Sequence, residues 1–153
     1  MIKLIIAGSR DFNDYKLLEK EVDSYILSVL EKLDAIVYDE FLLRILTNEN
    51  FNVLPIEVVS GTARGADRLG EQYAKTRNLP IKYFTPNWSQ NGKSAGYIRN
   101  EEMAKYSSDC IIFNLGRSKG SVHMENIAKR YKLGLKVINL WELVLMIYLR
   151  HFL

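Results

Sequence analysis

The sequence predicts a three-layer α/β domain built on a parallel sheet of about five strands. Strand-like and helix-like segments alternate along the chain, and four of the five strand-like segments are continuous apolar runs. Seven of the nine glycines follow such runs. Continuous apolar strands are typical of a parallel sheet that helices cover on both faces. Right-handed crossovers between such strands give a doubly wound, Rossmann-like sheet.

The individual elements follow from apolar spacing and from the residues that interrupt it. Short apolar runs, the first ending at Gly8, predict strands at residues 2–7, 56–60, 80–84, 110–114 and 135–139. Apolar residues at helical spacing predict helices at residues 14–33, 64–78, 97–106, 121–131 and 141–151. Asp14 has the side chain expected at the N-cap of the first helix.

Two segments depart from this alternation. Residues 34–55 are far longer than the usual connection of 2–6 residues, so they predict a helical extension or insertion with a turn-like TNENFN segment. We expect Tyr38, Phe41 and Leu42 to be exposed there and to serve self-association. The C-terminal segment 141–153 is apolar on more than one face, which indicates either a last core helix or an oligomer interface. A homo-oligomer is therefore expected.

Composition excludes several classes of protein. A chain of 153 residues fits one domain (1–153), and a net charge of +3 is too small to indicate nucleic-acid binding. The single cysteine, Cys110, excludes an internal disulfide and fits a reducing, cytoplasmic compartment. The first apolar run is too short for a signal peptide or a membrane span. Two histidines and one cysteine cannot build the usual zinc site without carboxylates, so we expect no metal and no cofactor.

The glycine-rich loops predict the binding edge. In a parallel sheet, the loops that follow the strands meet at one edge, where open α/β sheets bind ligands. These loops carry the polar residues Ser9, Arg10, Asp11, Thr62, Arg64, Asp67, Lys93, Arg99, Asn100, Arg117, Ser118, Lys119 and Ser121. SGTARGAD (60–67) and GRSKGSVHMEN (116–126) each join a strand to a helix, and amides at a helix N-terminus attract anions. The pair of loops indicates a phosphate-containing ligand such as a nucleotide.

Other residues permit weaker interpretations. His123 and Glu125 suggest acid–base chemistry, although a pair on the surface of a helix is the more ordinary interpretation. Trp88 fits either a base-stacking residue or an anchor for its polar loop. Cys110 fits a small apolar residue of a buried strand.

Four segments together resemble a known family. GSRDF, SGTARGADRLGEQYA, NWSQNGKSAGYIRNEEMA and the turn with Gly120 resemble, in this order, the YspA/YpsA-related branch of the SLOG superfamily. That superfamily also includes the cytokinin-activating phosphoribohydrolases and DNA-processing protein A. The resemblance runs from about residue 2 to residue 139. It implies a Rossmann-like sheet whose edge binds nucleotides or nucleotide-derived signals.

Carried over by position, the resemblance implies a set of ligand-binding residues. They are Gly8, Ser9, Arg10, Gly61, Thr62, Gly65, Ala66, Asp67, Arg99, Asn100, Gly120 and Ser121. Arg64 is added for its chemistry, because its guanidinium, like those of Arg10 and Arg99, has the planar geometry that suits phosphate. The phosphoribohydrolases place a catalytic glutamate in a PGGxGTxxE motif at the last loop. Here that segment reads LGRSKGSVHMEN, so His123 or Met124 falls where an acidic residue is expected.

The sequence therefore leaves competing functions. The first is a sensing or sequestering module that binds a nucleotide or nucleotide-derived ligand. The alternative is an enzyme that cleaves the N-glycosidic bond of a nucleotide, with Arg99 and Glu125 as its catalytic residues, or with Glu101 in place of Glu125. Binding of nucleic acid is disfavoured because the chain has no basic run.

Overall fold

A computed structural model describes residues 1–47, 54–116 and 118–152. The sheet strands are β1 (Ile2–Gly8), β2 (Ile56–Ser60), β3 (Ile81–Tyr83), β4 (Asp109–Asn114) and β5 (Gly134–Asn139). Their order is β3-β2-β1-β4-β5, and each neighbouring pair is parallel. The predicted five-stranded α/β sheet is confirmed.

Helices connect the strands. They are α1 (Tyr15–Leu33), α2 (Ala35–Thr47), α3 (Ala66–Thr76), α4 (Trp88–Asn91), α5 (Ala95–Tyr106), α6 (Lys119–Arg130) and α7 (Leu140–Phe152). The sequence did not predict α4 or the 3-10 turn Gly92–Ser94 that follows it. Asn87 explains the start of α4, because its side chain accepts a hydrogen bond from the backbone N of Gln90 at 3.1 Å.

Helices cover both faces of the sheet, and β1 shows why. Leu4 and Ile6 of this strand face a core formed with α1 and α3, whereas Ile5 and Ala7 face a core formed with α5 and α6. A central parallel strand that is buried on both faces requires this unbroken apolar sequence, without the polar alternation of a half-exposed strand. Cys110 of β4 lies fully buried in the second core, as the sequence predicts.

The insertion folds as a separate helix. Asp34 interrupts α1 in an extended conformation, and its side chain accepts hydrogen bonds from the backbone N of Ile36 and Val37. The chain then turns into α2, which packs against α1. The prediction that Phe41 is exposed is wrong: Phe41 is fully buried in the core shared with α1.

The two other residues of this segment that were predicted to be exposed are also less exposed than expected. Tyr38 is partly buried against the same core, and Leu42 is half-buried. Because α2 packs against α1, its apolar face is buried. The local sequence does not reveal this packing. Residues 48–52 of the predicted TNENFN turn lie outside the described residues, and Thr47 ends α2.

The C-terminal helix α7 does not belong to the core. None of its described residues is buried, which removes the core-helix interpretation. Its exposed apolar side chains are Trp141, Leu143, Val144, Leu145, Met146, Ile147, Tyr148, Leu149 and Phe152. Among the described helices, none has the length and apolar character needed to cross a membrane.

Candidate functional site

The carboxyl edge of the sheet holds a cavity of about 330 Å³ between β1 and β4, here called the central cavity. The chain passes from β3 to β4 across the sheet, so β1 and β4 form the topological switch point where open α/β sheets bind ligands. The cavity is lined by Ala7, Gly8, Arg10, Ala63, Asp67, Arg99, Asn100, Met103, Ser118, Lys119, Gly120, Ser121 and Met124. The loops after β1, β2 and β4 and the three helices α3, α5 and α6 therefore converge here.

Ser9 holds three of these segments together. Its backbone N donates to the carbonyl of Phe113, and its Oγ accepts from the backbone N of Leu115, both at 2.9 Å. Its own carbonyl accepts from the backbone N of Ala66 at 3.3 Å. Ser9 was predicted to contact the ligand, but it does not line the cavity. Its contacts instead fix the loops after β1 and β4 against the start of α3.

Gly65 explains how the loop after β2 approaches so closely. Its φ of 79° lies in the left-handed region, and a Cβ there would overlap the carbonyl oxygens of Ser9 and Arg10. Gly65 therefore shapes the site without lining it. Thr62 also has a positive φ, 63°, which is an unusual conformation for a β-branched residue.

Asp67 is a buried carboxylate at the start of α3 and is only 5% exposed. Its Oδ2 accepts a hydrogen bond from the backbone N of Ala63 at 3.1 Å. Burial raises the pKa of Asp67 to about 6, although this hydrogen bond and the charge of Arg99 oppose the rise. Of the described residues, Asp67 is the one carboxylate that lines the central cavity.

Arg99 is held in place from two sides. Its Nη1 donates to the carbonyl of Gly61, and its Nε donates to Oδ1 of Asn100 at 3.0 Å. Burial lowers the pKa of this guanidinium, while the charge of Asp67 opposes the shift. A partly buried, fixed guanidinium suits recognition of a phosphate.

Asn100 connects Arg99 to His123. The Nδ2 of Asn100 lies 3.2 Å from Nδ1 of His123, whose ring packs on Tyr97 with the ring centroids 4.4 Å apart. Since the Asn100 Oδ1 accepts from Arg99, its Nδ2 donates and the His123 Nδ1 accepts. Burial lowers the pKa of His123, which favours this neutral acceptor.

The expected surface pair of His123 with Glu125 is wrong. Glu125 Oε1 lies 3.0 Å from Nζ of Lys129, one helical turn away, and Glu125 does not line the central cavity. Residues two positions apart on a helix face different directions, whereas residues four apart share a face. Of the two candidate catalytic residues, the structure places Arg99 in the cavity and turns Glu125 towards Lys129.

The N-terminus of α6 forms one wall of the cavity. Ser118 caps the helix, since its side chain accepts from the backbone N of Ser121 at 3.3 Å. The first amides of a helix have no acceptor within the helix and attract anions. Gly120 leaves open space beside them, because a Cβ there would meet no atom within 4 Å. Arg117, the remaining polar residue of this loop, lies outside the described residues.

A second cavity of about 510 Å³ adjoins the first and is here called the arginine cavity. It is lined by Arg10, Gly61, Thr62, Ala63, Arg64, Arg68, Thr85, Pro86, Trp88 and Arg99. The predicted residues thus divide between the two cavities. The central cavity includes Gly8, Asp67, Asn100, Gly120 and Ser121, and the arginine cavity includes Gly61, Thr62 and Arg64. Both cavities include Arg10 and Arg99.

Several lining residues were absent from the predicted site. Met103 and Met124 supply apolar surface to the central cavity, and Arg68 and Trp88 line the arginine cavity. Arg68 lies in α3, whereas Arg64 precedes the helix and is separated from it by Gly65 with its positive φ. The spacing of the two arginines therefore gave no sound signal for Arg68. No three His, Cys, Asp or Glu side chains within the described ranges gather as metal ligands would.

Comparisons with known proteins assign the chain to a family. The chain is 39% identical over 88 residues to the Gene 61 protein of Mycobacterium phage D29, across 54% of this chain and 69% of that protein. No solved structure matches the chain significantly. The model of the YspA, cpYpsA-related SLOG family matches residues 2–90, which include β1, β2, β3 and the loops that follow β1 and β2. The chain therefore belongs to the YspA, cpYpsA-related SLOG family.

Proposed function

We propose that this protein binds a nucleotide or nucleotide-derived ligand at the carboxyl edge of its sheet and serves as a sensing or sequestering module. The observation that carries the proposal is the convergence on one cavity of the α6 N-terminus with Arg10 and Arg99. Backbone amides and guanidinium groups are the donors that proteins most often present to phosphate. Family membership supports a nucleotide-related role.

The side chains around these donors support a ligand that is more than a phosphate ion. Met103 and Met124 line the same cavity, so an apolar surface lies beside the phosphate donors. A volume of about 330 Å³ falls within the range of pockets that take small organic ligands. A nucleoside monophosphate has the required combination of a charged group and a flat apolar base.

The two glutamates that the hydrolase alternative would use have partners elsewhere. The carboxylate of Glu125 is paired with Lys129, and Glu101 accepts a hydrogen bond from the hydroxyl of Tyr131 at 2.7 Å. Neither glutamate lines the central cavity. A binding module needs no such group, because its task ends with the captured ligand.

Gly120 offers a direct test. We expect Gly120→Asp to fold normally, because a side chain there enters open space, and to repel phosphate from the α6 N-terminus. Gly116→Asp is the matched control, since Gly116 also has open space around it and lines neither cavity. The measurement is thermal stabilisation by AMP, ADP and ATP at fixed salt, with the nucleotides checked by chromatography afterwards.

The wild-type protein and Gly116→Asp should be stabilised by about 2.7 kcal/mol at a hundredfold excess of nucleotide over its dissociation constant. Gly120→Asp should lose most of this stabilisation. Equal stabilisation of Gly116→Asp and Gly120→Asp would show that the ligand does not bind at the α6 N-terminus. Release of free base during the measurement would show that the protein hydrolyses the nucleotide, and the hydrolase would then be the correct function.

We also propose that the protein self-associates through α7 with a second copy of the chain. The helix is apolar around most of its circumference, and a helix of that kind is stable in water only when it is covered. Its nine exposed apolar side chains form the kind of apolar surface that interfaces between copies of one chain bury. Sedimentation of wild type and Val144→Lys/Ile147→Lys tests this. A wild-type monomer at high concentration would contradict it.

The proposal includes a cytoplasmic location. Its support is the single cysteine, Cys110, which is a free thiol buried in β4. A chain of this kind gains nothing from an oxidising compartment, where proteins of this size commonly carry disulfides.

A further inference from the structure

The arginine cavity carries more positive charge than a single phosphate needs. Arg10, Arg64, Arg68 and Arg99 line it. Two of them have carboxylate partners: Arg64 lies 3.5 Å from Asp11, with both side chains exposed, and Arg68 lies 3.0 Å from Glu71. The remaining two, Arg10 and Arg99, also line the central cavity. The boundary between the two cavities therefore has two guanidinium groups, with Asp67 of the central cavity as a carboxylate that attracts Arg99.

Trp88 gives the arginine cavity an aromatic surface. Its indole Cη2 would be in ordinary van der Waals contact, at 3.5 Å, with a Cβ at Gly96, so the ring lies beside the first turn of α5. The side chain is nevertheless 53% exposed and lines the cavity. A tryptophan that anchored its loop in the core would be buried. This one presents its surface to whatever enters the cavity.

The two cavities meet along three residues that line both, Arg10, Ala63 and Arg99. Their volumes, about 330 and 510 Å³, each lie within the range that holds one small organic ligand. A ligand that filled both would have its two ends in separate cavities and its middle between two guanidinium groups. Phosphate groups fit that middle position, and aromatic bases fit the ends beside Trp88 and beside the two methionines.

We propose that the ligand is a dinucleotide, with two nucleosides joined through phosphate, that spans both cavities. One base stacks on Trp88, the linking phosphate lies between Arg10 and Arg99, and the second nucleotide occupies the central cavity against α6. This inference rests on the proposed function and adds the class of ligand. Stacking on an exposed aromatic ring and bidentate contacts from arginine supply the recognition.

Fluorescence of Trp88 tests the inference directly. The chain has two tryptophans, so Trp141→Phe leaves Trp88 as the single reporter. We expect the linear dinucleotide pApA to quench this fluorescence with saturation at one equivalent. We also expect calorimetry to show at least tenfold tighter binding of pApA than of AMP. Equal affinities for the two probes would overturn the inference.

Substitution of each tryptophan provides the second arm. Trp88→Ala should weaken pApA binding about tenfold, as expected for loss of one stacked base, and Trp88→Phe should restore much of it. Trp141→Ala is the matched control, because Trp141 is 51% exposed on α7 and lines neither cavity. An unchanged affinity of Trp88→Ala for pApA would overturn the assignment of the arginine cavity.

The outcomes separate this inference from the proposed function. If AMP binds and Gly120→Asp weakens it while Trp88 plays no part, the central cavity is the whole site and the inference fails alone. If neither AMP nor pApA binds, the proposed function fails and the inference fails with it. A ten-nucleotide oligoadenylate that bound more than tenfold tighter than pApA would also overturn the inference, because the ligand would then be a nucleic-acid strand.

Discussion

Replacement of Asp67 by asparagine should stabilise the protein at neutral pH. The carboxyl group is 5% exposed, and its pKa is raised by burial from 3.8 to about 6. A rise of this size corresponds to roughly 3 kcal/mol of free energy of unfolding lost at neutral pH. Asparagine keeps an oxygen that can accept from the backbone N of Ala63 and carries no buried charge. It loses the attraction of Arg99, so we expect a gain of about 1–3 kcal/mol.

The raised pKa of Asp67 determines how the free energy of unfolding changes with pH. Below about pH 4, Asp67 is protonated in both the folded and the unfolded chain and contributes nothing. As pH rises from about 4 to about 6, the unfolded chain loses its proton first, so the contribution of Asp67 to the free energy of unfolding falls. Above about pH 6 both states are ionised, and the loss is complete.

Urea denaturation of wild type and Asp67→Asn between pH 4 and pH 7.5 measures the effect. The variant should be more stable at pH 7.5, and the difference should shrink towards zero near pH 4. Other titrating groups cancel in the comparison. Asp11→Asn is the control, because the exposed Asp11 contributes little through its long contact with Arg64. A wild type more stable than Asp67→Asn at pH 7.5, or a difference independent of pH, would refute the reasoning.

Three further substitutions test other contacts. Gly65→Ala should cost more than 1 kcal/mol in urea denaturation, because φ is 79° and the new Cβ would overlap the Ser9 carbonyl; an unchanged midpoint would contradict this. Tyr25→Phe should cost about 1–3 kcal/mol, since it removes the hydroxyl that donates to buried Asp109 at 2.7 Å; a neutral result would mean that another donor replaces it. Burial lowers the pKa of His123 from 6.5, so its contribution to stability is lost as pH falls below 6.5, and His123→Phe should remove that part of the acid sensitivity. Identical acid profiles for His123→Phe and wild type would contradict this assignment.

The sheet could be predicted because its information is local. A strand such as β1 is buried on both faces and therefore needs an unbroken apolar sequence, which is visible without a structure. The order of helices and strands then left few topologies. The position of Phe41 could not be predicted in the same way, because its burial depends on α2 turning back along α1 at Asp34.

The site was predictable as an edge but not as two cavities. Gly8, Arg10 and Gly120 follow strands, so their meeting at one edge follows from parallel topology. The partition of the residues depends on the path of the loop at Ala63, and the place of Trp88 depends on a four-residue helix resting on Gly96. Neither the left-handed Thr62 nor that short helix has a pattern in the sequence long enough to predict it.

The break between α1 and α2 at Asp34 lies at the amino edge of the sheet, away from the two cavities. A groove there is lined by Ile2, Pro55 and Asp109, which lie at the amino ends of three strands, so α2 begins at the edge opposite the central and arginine cavities. Exposed positions of this segment can change while the loops that surround the cavities keep their contacts, whereas Phe41 is fixed in the core. A fluorescent label or an affinity handle attached to exposed Ile36 would therefore stay clear of both cavities. For the nucleotide-binding module proposed above, this segment is a suitable attachment point for a reporter.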